Sequence, residues 1–423
     1  MLVFLPIQIW LSNELEAVVG PLGSLIRNVD EMTILALLPL SLFEIFKGRW
    51  MASCNFLIII FSVVAVFLTG LISGLENNNS MLVTFLGVFD YVKNFLPLFI
   101  YAAFFKDITL KELTMIINTI LITTMFLGFV CVIQESWAFI STQILHIPWT
   151  FMGYWRFGIY RTPSLMNHPN SVGLYFLFVL TLYMYTAKKL AFIPMGLIFT
   201  GIIFSISRIA YGGFMLISAL QSKGKRWLLI IVISMFTVLT ILTLGMKKEV
   251  KKLAIENKEV FRIYAATKSL EIWMDHPLVG RGPGMYGGVI SFTFDSPVYQ
   301  EYHFEPQWYL FMSSFKSLDQ FWPQLFAEMG GLGAITFFGL IMSIVAAFIK
   351  SRRNIESVAV KGLFSALLII TLFIFIYTLG SGLNNTAFLY SYAAFAGIAL
   401  GYREIKEIDD NIYDIPCNMA VET

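Results

Sequence analysis

Arginine side chains stand at three places where apolar runs of this chain begin, meet or are interrupted. Arg161 precedes one apolar run, Arg208 separates two others, and Arg262 lies in the long polar stretch between apolar runs. A guanidinium group holds phosphate oxygens in a bidentate fork. Several such groups converging on one pocket would suit a pyrophosphate. The pattern therefore predicts a binding site for a substrate of that kind.

Arg208 gives the sharpest of these signals. Its two flanking apolar runs are bounded by lysines at Lys189 and Lys223. A helix from Leu190 would climb roughly 27 Å to Arg208, and one from Arg208 to Gln221 would descend about 20 Å. Since the hydrocarbon core of a bilayer is about 30 Å thick, Arg208 should lie near its outer boundary. An arginine there is a functional candidate by default; the alternative is an arginine that snorkels at the tip of a hairpin.

The segment 135–170 carries further candidates close to Arg161. Arg156 adds a second guanidinium group, and His168 and Asn170 stand at the start of the next apolar run. An isolated histidine is more often structural than catalytic. Prolines just before a transmembrane helix are also common in ordinary loops. We predict substrate binding for all four, with the two arginines as the more informative residues.

Residues 246–320 form the long polar interruption of the chain. It opens with lysines from Lys247 to Lys252, which are either a solvated helix start or a surface that attracts phosphate-bearing lipid or glycan. Further along, His276, Arg281 and His303 are candidate substrate-binding residues. The aromatic side chains of this loop could stack on sugar rings, although aromatic residues are also common at a membrane interface.

An amphipathic helix is predicted within this loop, lying against the membrane domain with Arg262 beside its apolar stripe. The stripe repeats at helical spacing and comprises Val260, Ile263, Thr267, Leu270 and Met274. The pattern Gly280-x-Gly282-x-Gly284 follows the helix. It lacks the spacing of a dinucleotide fingerprint and has no preceding strand, so it predicts a tight turn.

The elements that must position these residues are strongly apolar. Of the 423 residues, 57% are hydrophobic and 13% are charged, about half the charged fraction of a soluble protein. Repeated apolar runs of near twenty residues fit bilayer spans, so the chain is predicted to be a polytopic membrane protein. The net charge of +2 is too small to indicate a nucleic-acid partner.

Twelve apolar runs predict an all-α protein with about twelve transmembrane helices, at roughly 2–20, 31–46, 54–74, 81–105, 113–134, 171–187, 190–206, 209–221, 227–245, 321–349, 358–379 and 386–402. Lysines and arginines collect in the loops on one side, whereas short loops such as 380–385 lack them. The positive-inside bias therefore puts both termini in the cytoplasm. The predicted organisation is nine helices in 1–245 with an outer loop at 135–170, an extracytoplasmic loop at 246–320, three helices in 321–402 and a cytoplasmic tail at 403–423.

Four short motifs occur in order between about residues 155 and 340. They are Arg161 followed by Asn167-His168-Pro169-Asn170, Ser207-Arg208, Arg262 leading to Asp275-His276-Pro277-Leu278-Val279-Gly280, and Gln324-Leu-Phe-Ala-Glu328-Met-Gly330-Gly331. In these motifs and in its expected topology the chain resembles the bacterial O-antigen ligase and polymerase superfamily, whose members include Wzy-type polymerases of surface polysaccharides.

The resemblance implies an enzyme of the bacterial plasma membrane that transfers glycans from undecaprenyl pyrophosphate, with inversion and without a metal or other cofactor. Donor and acceptor would be undecaprenyl-pyrophosphate-linked oligosaccharides among membrane lipids, and a chain-length regulator protein is a candidate partner. Arg161, Arg208 and Arg262 would hold the pyrophosphate, and Glu328 would contact the substrate. Where the family has a histidine nine residues before that glutamate, this chain has Asp319, which becomes the candidate base.

Three alternatives stay open at this point. Ser317-Leu-Asp319-Gln320 has the spacing of a capping box, so Asp319 would then serve the next helix only. An O-antigen-type ligase would attach finished glycan to a lipid A-core acceptor instead of polymerising it. A transporter or flippase is a more distant reading, since transporters often show repeated halves with interrupted helices and this sequence shows no such duplication.

Overall fold

The computed structural model describes most of the chain as helices. The described residues are 5–19, 28–47, 54–146, 155–156, 159–166, 168–187, 191–221, 255–315, 318, 320–353, 355–379, 381–383 and 385–402. Within them, five helical stretches are long and apolar enough to cross a membrane: Phe56–Glu76, Met81–Phe104, Leu110–Thr142, Phe321–Arg353 and Val358–Thr378. The predicted all-α, membrane-spanning character is supported, whereas the count of about twelve spans is not confirmed.

Helices of the first half are α1 (Leu5–Val19), α2 (Val29–Lys47), α3 (Cys54–Glu76), α4 (Met81–Val92), α5 (Leu96–Phe104), α6 (Leu110–Phe139), α7 (Pro169–Thr186), α8 (Phe192–Ser205) and α9 (Arg208–Gln221). A single 3-10 turn (Lys93–Phe95) joins α4 to α5, and a π-helical turn (Ile140–Ile144) extends α6. Between α6 and α7, two short antiparallel strands, β1 (Trp155–Arg156) and β2 (Ile159–Tyr160), pair Trp155 with Tyr160.

Helices of the second half are α10 (Ile255–Asp275), α11 (Val289–Thr293), α12 (Val298–Glu301), α13 (Pro306–Phe315), α14 (Phe321–Arg353), α15 (Val358–Thr378) and α16 (Thr386–Gly401). Each predicted span that falls on described residues coincides with helical structure. The predicted span 227–245, the basic run from Lys247 to Lys252 and the tail 403–423 lie outside the described residues.

Helix α7 lies at the centre of the membrane domain. Every residue from Val172 to Tyr183 is buried, and the helix packs against α8, α9, α15 and α16. A helix that is apolar on all its faces is expected to be surrounded by other helices. The residues just before α7, where the sequence places His168 and Asn170, are therefore attached to the most enclosed element of the fold.

Helices α2 and α5 lie side by side and run in the same direction. At one end Lys93 forms ion pairs with Glu31 at 2.9 Å and with Asp90 at 2.8 Å. At the other end Lys106 pairs with Glu44 at 3.3 Å. Because the lower-numbered residue of α2 meets the lower-numbered lysine, the two segments must be parallel.

Helix α10 exists as predicted, but it buries a different face. Phe261, Ala265 and Ile272 are buried, whereas Ile263 and Leu270 of the predicted stripe are 69% and 48% exposed. The reason is that the polar loop has an aromatic core of its own, against which the Phe261 side packs. Helix α10 does pack against the membrane-spanning helix α14, as predicted, but through a face other than the predicted stripe.

The aromatic core of the loop contains residues that the sequence offered for sugar stacking. Tyr286 is fully buried, and its ring lies 6.2 Å from that of Tyr299 and 6.0 Å from that of Phe304. Trp308 stacks on Tyr264 with ring centroids 5.7 Å apart. These rings fold the loop into a compact body, and Tyr286 is not available to a ligand.

Candidate functional site

The guanidinium group of Arg161 joins the end of one helix to the start of another. Its Nε donates a hydrogen bond to the carbonyl of Ser205 at 3.0 Å, and its Nη2 donates to Oδ1 of Asn170 at 2.7 Å. The side chain is only 9% exposed. The backbone reinforces this junction, because Thr162 N donates to the carbonyl of Phe204 at 3.1 Å. Arg161 and Asn170, both predicted site residues, are thus brought together directly.

His168 begins helix α7 as its N-cap. Its Nδ1 accepts a hydrogen bond from the backbone N–H of Asn170 at 3.1 Å, and Pro169 occupies the first helical position, where the missing N–H has no cost. The side chain of His168 is exposed. Capping accounts for the position of His168, and the exposed ring leaves room for an additional contact with a ligand.

Arg208 is the first residue of α9 and is exposed. The chain turns into this helix through Ile206, whose φ of 44° lies in the left-handed region. Buried Ser207 receives a 3.4 Å hydrogen bond on Oγ from the backbone N–H of Ala210. Three residues separate Arg208 from Ser205, so their Cα atoms are at most about 11 Å apart. The buried Arg161 therefore contacts the tip of the hairpin formed by α8 and α9, and the exposed Arg208 belongs to that tip.

The loop 381–385 follows α15 in the sequence and forms hydrogen bonds with the start of α7. Ser171 Oγ donates a 2.6 Å hydrogen bond to Oδ1 of Asn385. The amide of Asn385 in turn donates to the phenol oxygen of Tyr377 at 2.7 Å, and that phenol donates to the carbonyl of Gly382 at 2.8 Å. These bonds hold Gly382 and Asn385 beside the start of α7.

The same loop also holds the start of α14. Phe321 N donates to the carbonyl of Ser381 at 3.3 Å, and Asn94 Nδ2 donates to the carbonyl of Leu383 at 3.0 Å. Trp322 Nε1 adds a 3.1 Å bond to Thr378 Oγ1. The loop 381–385 consequently links the α7 end of the site with the segment in which the sequence places the candidate base. Asp319 itself lies outside the described residues, as does the side chain of Arg156.

The glycine-rich segment 277–287 is more than a simple turn, because its backbone packs against α14 and forms hydrogen bonds with the backbone of that helix. Its backbone pairs with that helix through Arg281 N to Ala327 O at 2.8 Å and through Gly282 N to Glu328 O at 2.8 Å. In the opposite direction, Gly331 N donates to Pro277 O at 2.8 Å. These bonds are possible because α14 is interrupted at Gly330, where φ is 62° and ψ is −160°.

The other side of this segment is held by the end of α3. Ser73 Oγ donates to the carbonyls of Val279 and Glu328, the latter at 2.9 Å. Asn77 Nδ2 donates to the carbonyl of Gly280 at 3.0 Å and Asn79 Nδ2 to that of Arg281 at 2.8 Å. Three polar side chains of one short stretch thus satisfy the backbone carbonyls of the inserted glycine segment. The sequence interpretation as a tight turn missed this insertion.

Glu328 lies at the centre of this arrangement and is fully buried. Its Oε2 accepts a 2.6 Å hydrogen bond from the phenol of Tyr91 and a 3.4 Å bond from Gln324 Nε2. Its Oε1 accepts the backbone N–H of Tyr286 at 2.8 Å. Both carboxylate oxygens therefore face protein donors, and the predicted substrate contact of Glu328 stays a prediction. Tyr91 was not predicted; no local pattern marks it.

Arg281 is also engaged within the protein. Its Nε and Nη2 both donate to the carboxylate of Glu301, with the Nε bond at 3.1 Å, and its Nη1 donates to Asn77 Oδ1 at 3.1 Å. A guanidinium already held in a bidentate fork by a carboxylate is a poor phosphate ligand. The geometry favours a positioning role for Arg281 over the predicted substrate contact.

Arg262 and His276 lie on or next to helix α10. Ser269 Oγ donates to the carbonyl of Pro323 and so fixes this helix against the start of α14. Arg262 precedes Ser269 by seven residues, about 10 Å along the helix axis, and is partly exposed. His276 ends the helix, with its backbone N–H bonded to the carbonyl of Ile272 at 3.1 Å. Neither residue is part of the hairpin formed by α8 and α9.

His303 borders a polar cavity between α10 and the residues that follow α12. The cavity has a volume of about 370 Å³ and is lined by Lys268, Glu271, Asp275, Glu301, Tyr302 and His303. Burial, together with a hydrogen bond to the carboxylate of Asp275, raises the pKa of the Tyr302 phenol to about 12.

No group of three or more His, Cys, Asp or Glu side chains in the described ranges is arranged to hold a metal ion. Comparison with known proteins adds no assignment: no family model matches the chain, and no curated protein matches it either.

Proposed function

We propose that this protein polymerises undecaprenyl-pyrophosphate-linked oligosaccharide repeat units by inverting glycosyl transfer. The reaction would take place on the outer side of a bacterial plasma membrane, with both termini in the cytoplasm. The proposal is supported by the resemblance of the four sequence motifs and by the apolar helices of the structure.

One observation carries the proposal furthest. The loop 381–385 binds both the start of α7, through Ser171 and Asn385, and the start of α14, through Phe321 and Ser381. Two motifs that lie about 150 residues apart in the sequence are in this way attached to one short loop. A glycosyl-transfer site needs its phosphate-binding residues and its base close together, because both act on the same bond.

Each arginine has a different part in the proposed site. Arg208 is the exposed member of its hairpin and stands at the N-terminus of α9, where backbone N–H groups also favour an anion. It is the proposed principal ligand of the pyrophosphate. Arg161 positions the hairpin through Ser205 and Asn170. Arg262, on α10, is proposed as a further contact with the leaving group.

The proposed chemistry is a single displacement. A hydroxyl oxygen of the acceptor sugar attacks the anomeric carbon of the donor, and the bond from that carbon to the pyrophosphate oxygen breaks. The electron pair of the broken bond leaves with the pyrophosphate, whose added charge is stabilised by Arg208 and Arg262. The hydroxyl proton passes to Asp319, the proposed general base. The configuration at the anomeric carbon is inverted.

Polymer synthesis by the purified protein in lipid nanodiscs tests this proposal. The substrate is a synthetic undecaprenyl-pyrophosphate oligosaccharide of the host's repeat unit, and products are resolved as a ladder of chain lengths. Arg208→Lys keeps the charge but loses the fork, so turnover should fall by tens- to thousands-fold, as for a lost charge contact worth about 2–5 kcal/mol.

Arg353→Lys is the matched control, because Arg353 is exposed at the far end of α14; it should retain normal turnover. A ladder of normal length and yield from Arg208→Ala would show that Arg208 is dispensable and would overturn the assignment of the phosphate site. Addition of a lipid A-core acceptor separates the alternatives, since a ligase would transfer glycan to it and leave the donor unpolymerised.

A further inference from the structure

The cavity between α10 and α12 has no assigned role in the proposed reaction. Of its six lining residues, Lys268, Glu271 and Asp275 come from α10, and Glu301, Tyr302 and His303 come from the end of α12 and the residues after it. Its volume of about 370 Å³ lies within the range of ligand pockets, about 300–1,000 Å³.

The charges around this cavity are largely balanced by internal pairs. Lys268 Nζ lies 2.7 Å from Oε2 of Glu271, and Arg281 holds the carboxylate of Glu301 in a bidentate fork. Asp275 lines the cavity beside the Tyr302 phenol and contributes to the raised pKa of that phenol. Three carboxylates against two cations leave a small negative surplus, which disfavours a phosphate ligand.

The groups that remain suit a ligand rich in hydroxyl groups. A carboxylate has about four lone-pair sites, so one that is paired with a cation or a phenol can still accept further hydrogen bonds. Lys268 contributes donors, and the oxygen of Tyr302 and the imidazole of His303 can accept. An apolar ligand would displace water from these polar groups without offering them hydrogen bonds in return, at a cost for each one. A sugar ring offers several hydroxyl groups that both donate and accept.

The backbone conformation of the loop fixes two sides of the cavity. His303 has a φ of 49°, in the left-handed region, and its N–H bonds to the carbonyl of Gln300 at 3.1 Å. Arg281, which holds Glu301 in place, donates its own N–H to the carbonyl of Ala327 at 2.8 Å. The cavity is thereby connected to the glycine segment and to the start of α14.

We infer that this cavity is a carbohydrate subsite that holds a neutral sugar residue of the glycan chain, away from the bond that is transferred. The inference rests on the proposed function for the identity of the sugar. It assigns ligand contacts to Glu271, Asp275, Tyr302 and Lys268. None of these is among the predicted site residues, although Asp275 opens one of the four sequence motifs.

Binding without turnover tests the inference on the full-length protein in lipid nanodiscs. The probe is the host's own repeat-unit oligosaccharide, released from its lipid by mild acid and dephosphorylated, and binding is followed by saturation-transfer NMR with titration. We expect saturable binding by the native protein. Tyr302→Phe and Asp275→Asn should each weaken it by about tenfold, the effect of one lost hydrogen bond.

Asp295→Asn is the matched control for Asp275→Asn: Asp295 is exposed in the same loop and does not line the cavity. It should bind as the native protein does. Sodium pyrophosphate should not displace the sugar. Absence of saturable binding at millimolar oligosaccharide, unchanged affinity in both cavity variants, or displacement by pyrophosphate would each overturn the inference.

The outcome is separable from that of the proposed function. A protein that polymerises its substrate but whose cavity variants bind sugar normally would retain the function and lose the subsite. A protein that binds sugar through Asp275 and Tyr302 but forms no polymer would retain the subsite and lose the function. Tyr302→Phe and Asp275→Asn preserve side-chain volume, and their elution in size-exclusion chromatography reports whether they are folded.

Discussion

The phenol of Tyr91 donates a 2.6 Å hydrogen bond to Oε2 of Glu328, although 237 residues separate the two in the sequence. The other carboxylate oxygen accepts the backbone N–H of Tyr286. One buried carboxylate thus joins α4, the glycine segment and α14. A buried acceptor that loses a donor costs about 1–3 kcal/mol, so each of these bonds contributes to the placement of the loop.

Tyr91→Phe removes one donor and leaves the ring in place. We expect the free energy of unfolding to fall by about 1–3 kcal/mol, because the Glu328 carboxylate is then incompletely satisfied. Chemical denaturation in mixed micelles measures the change. Tyr101→Phe is the control, since Tyr101 stacks on Phe105 and its phenol has no hydrogen bond among the described residues. Equal stability of the two variants would show that the Tyr91–Glu328 bond contributes nothing.

Gly330→Ala and Gly339→Ala should change stability in opposite directions although both lie in α14. At Gly330, φ is 62° and an added Cβ would lie 2.5 Å from the carbonyl oxygen of Leu278. The expected cost is on the order of 1–3 kcal/mol or more, from backbone strain and the clash. An added Cβ at Gly339 meets nothing within 4 Å, and alanine there should stabilise the helix by about 0.5–1 kcal/mol. The thermal unfolding midpoints of the two variants give the sign of each stability change. A shift of both midpoints in the same direction would contradict the interruption of α14 at Gly330.

Arg161 and Asn170 should be energetically coupled. Arg161→Lys cannot bind both Ser205 and Asn170, and Asn170→Ala removes one of those partners. A double-mutant cycle on unfolding free energy should give a coupling of about 0.5–3 kcal/mol, as for residues in direct contact. Additive effects within error would show that the two side chains do not act on each other. Arg352→Lys, at the exposed end of α14, should show no coupling to Asn170→Ala.

Asp319→Asn tests the proposed base. The asparagine keeps the shape and much of the capping capacity, but it takes up no proton at neutral pH. Loss of a general base should lower polymerisation roughly 100- to 10,000-fold, whereas a capping role alone is worth about 0.3–1 kcal/mol of local stability. The assay is polymer formation in nanodiscs, with Asp295→Asn as the matched control. Turnover within a few-fold of the native protein would dismiss Asp319, and His276 would be the next residue to replace.

Cysteine labelling tests the orientation of the loop. Gln300→Cys and Arg353→Cys are each introduced at an exposed position, in a protein whose native cysteines are replaced by serine. An impermeant maleimide added to intact cells should label Gln300→Cys and spare Arg353→Cys, with both labelled after permeabilisation. Labelling of Arg353→Cys alone would reverse the topology and remove the basis for an outer active site.

The positions of helices could be predicted because they depend on local apolar runs. The predicted span 358–379 is α15 (Val358–Thr378) and the predicted span 54–74 is α3 (Cys54–Glu76). Such runs need no knowledge of which residues they contact. Packing faces were harder to predict. On α10 the wrong face was chosen, because the partner of Phe261 is the loop's own aromatic core rather than the membrane domain.

The candidate site was predictable only where its residues are close in sequence. Arg161 and Asn170, nine residues apart, were placed in one site and do form a hydrogen bond. The contacts of Glu328 with Tyr91 and Tyr286 follow from a long-range insertion that no periodicity reveals. The loop 381–385 was notable in the sequence only for its lack of lysine and arginine, yet its backbone carbonyls hold Asn94 and Phe321.

The two ion pairs between α2 and the segment from Lys93 to Lys106 have the same sequence offset of 62 residues. Glu44 lies thirteen residues after Glu31, about 20 Å further along a helix. The two ion pairs therefore join α2 to the segment that contains α5 at two well-separated points, which fixes their relative direction. Helices that run in the same direction require a returning segment between them, and α3, with 23 residues, supplies it. An experiment that shows on which side of the membrane Glu31 lies would therefore orient α2, α3 and α5 together. This orientation would not depend on the positive-inside bias.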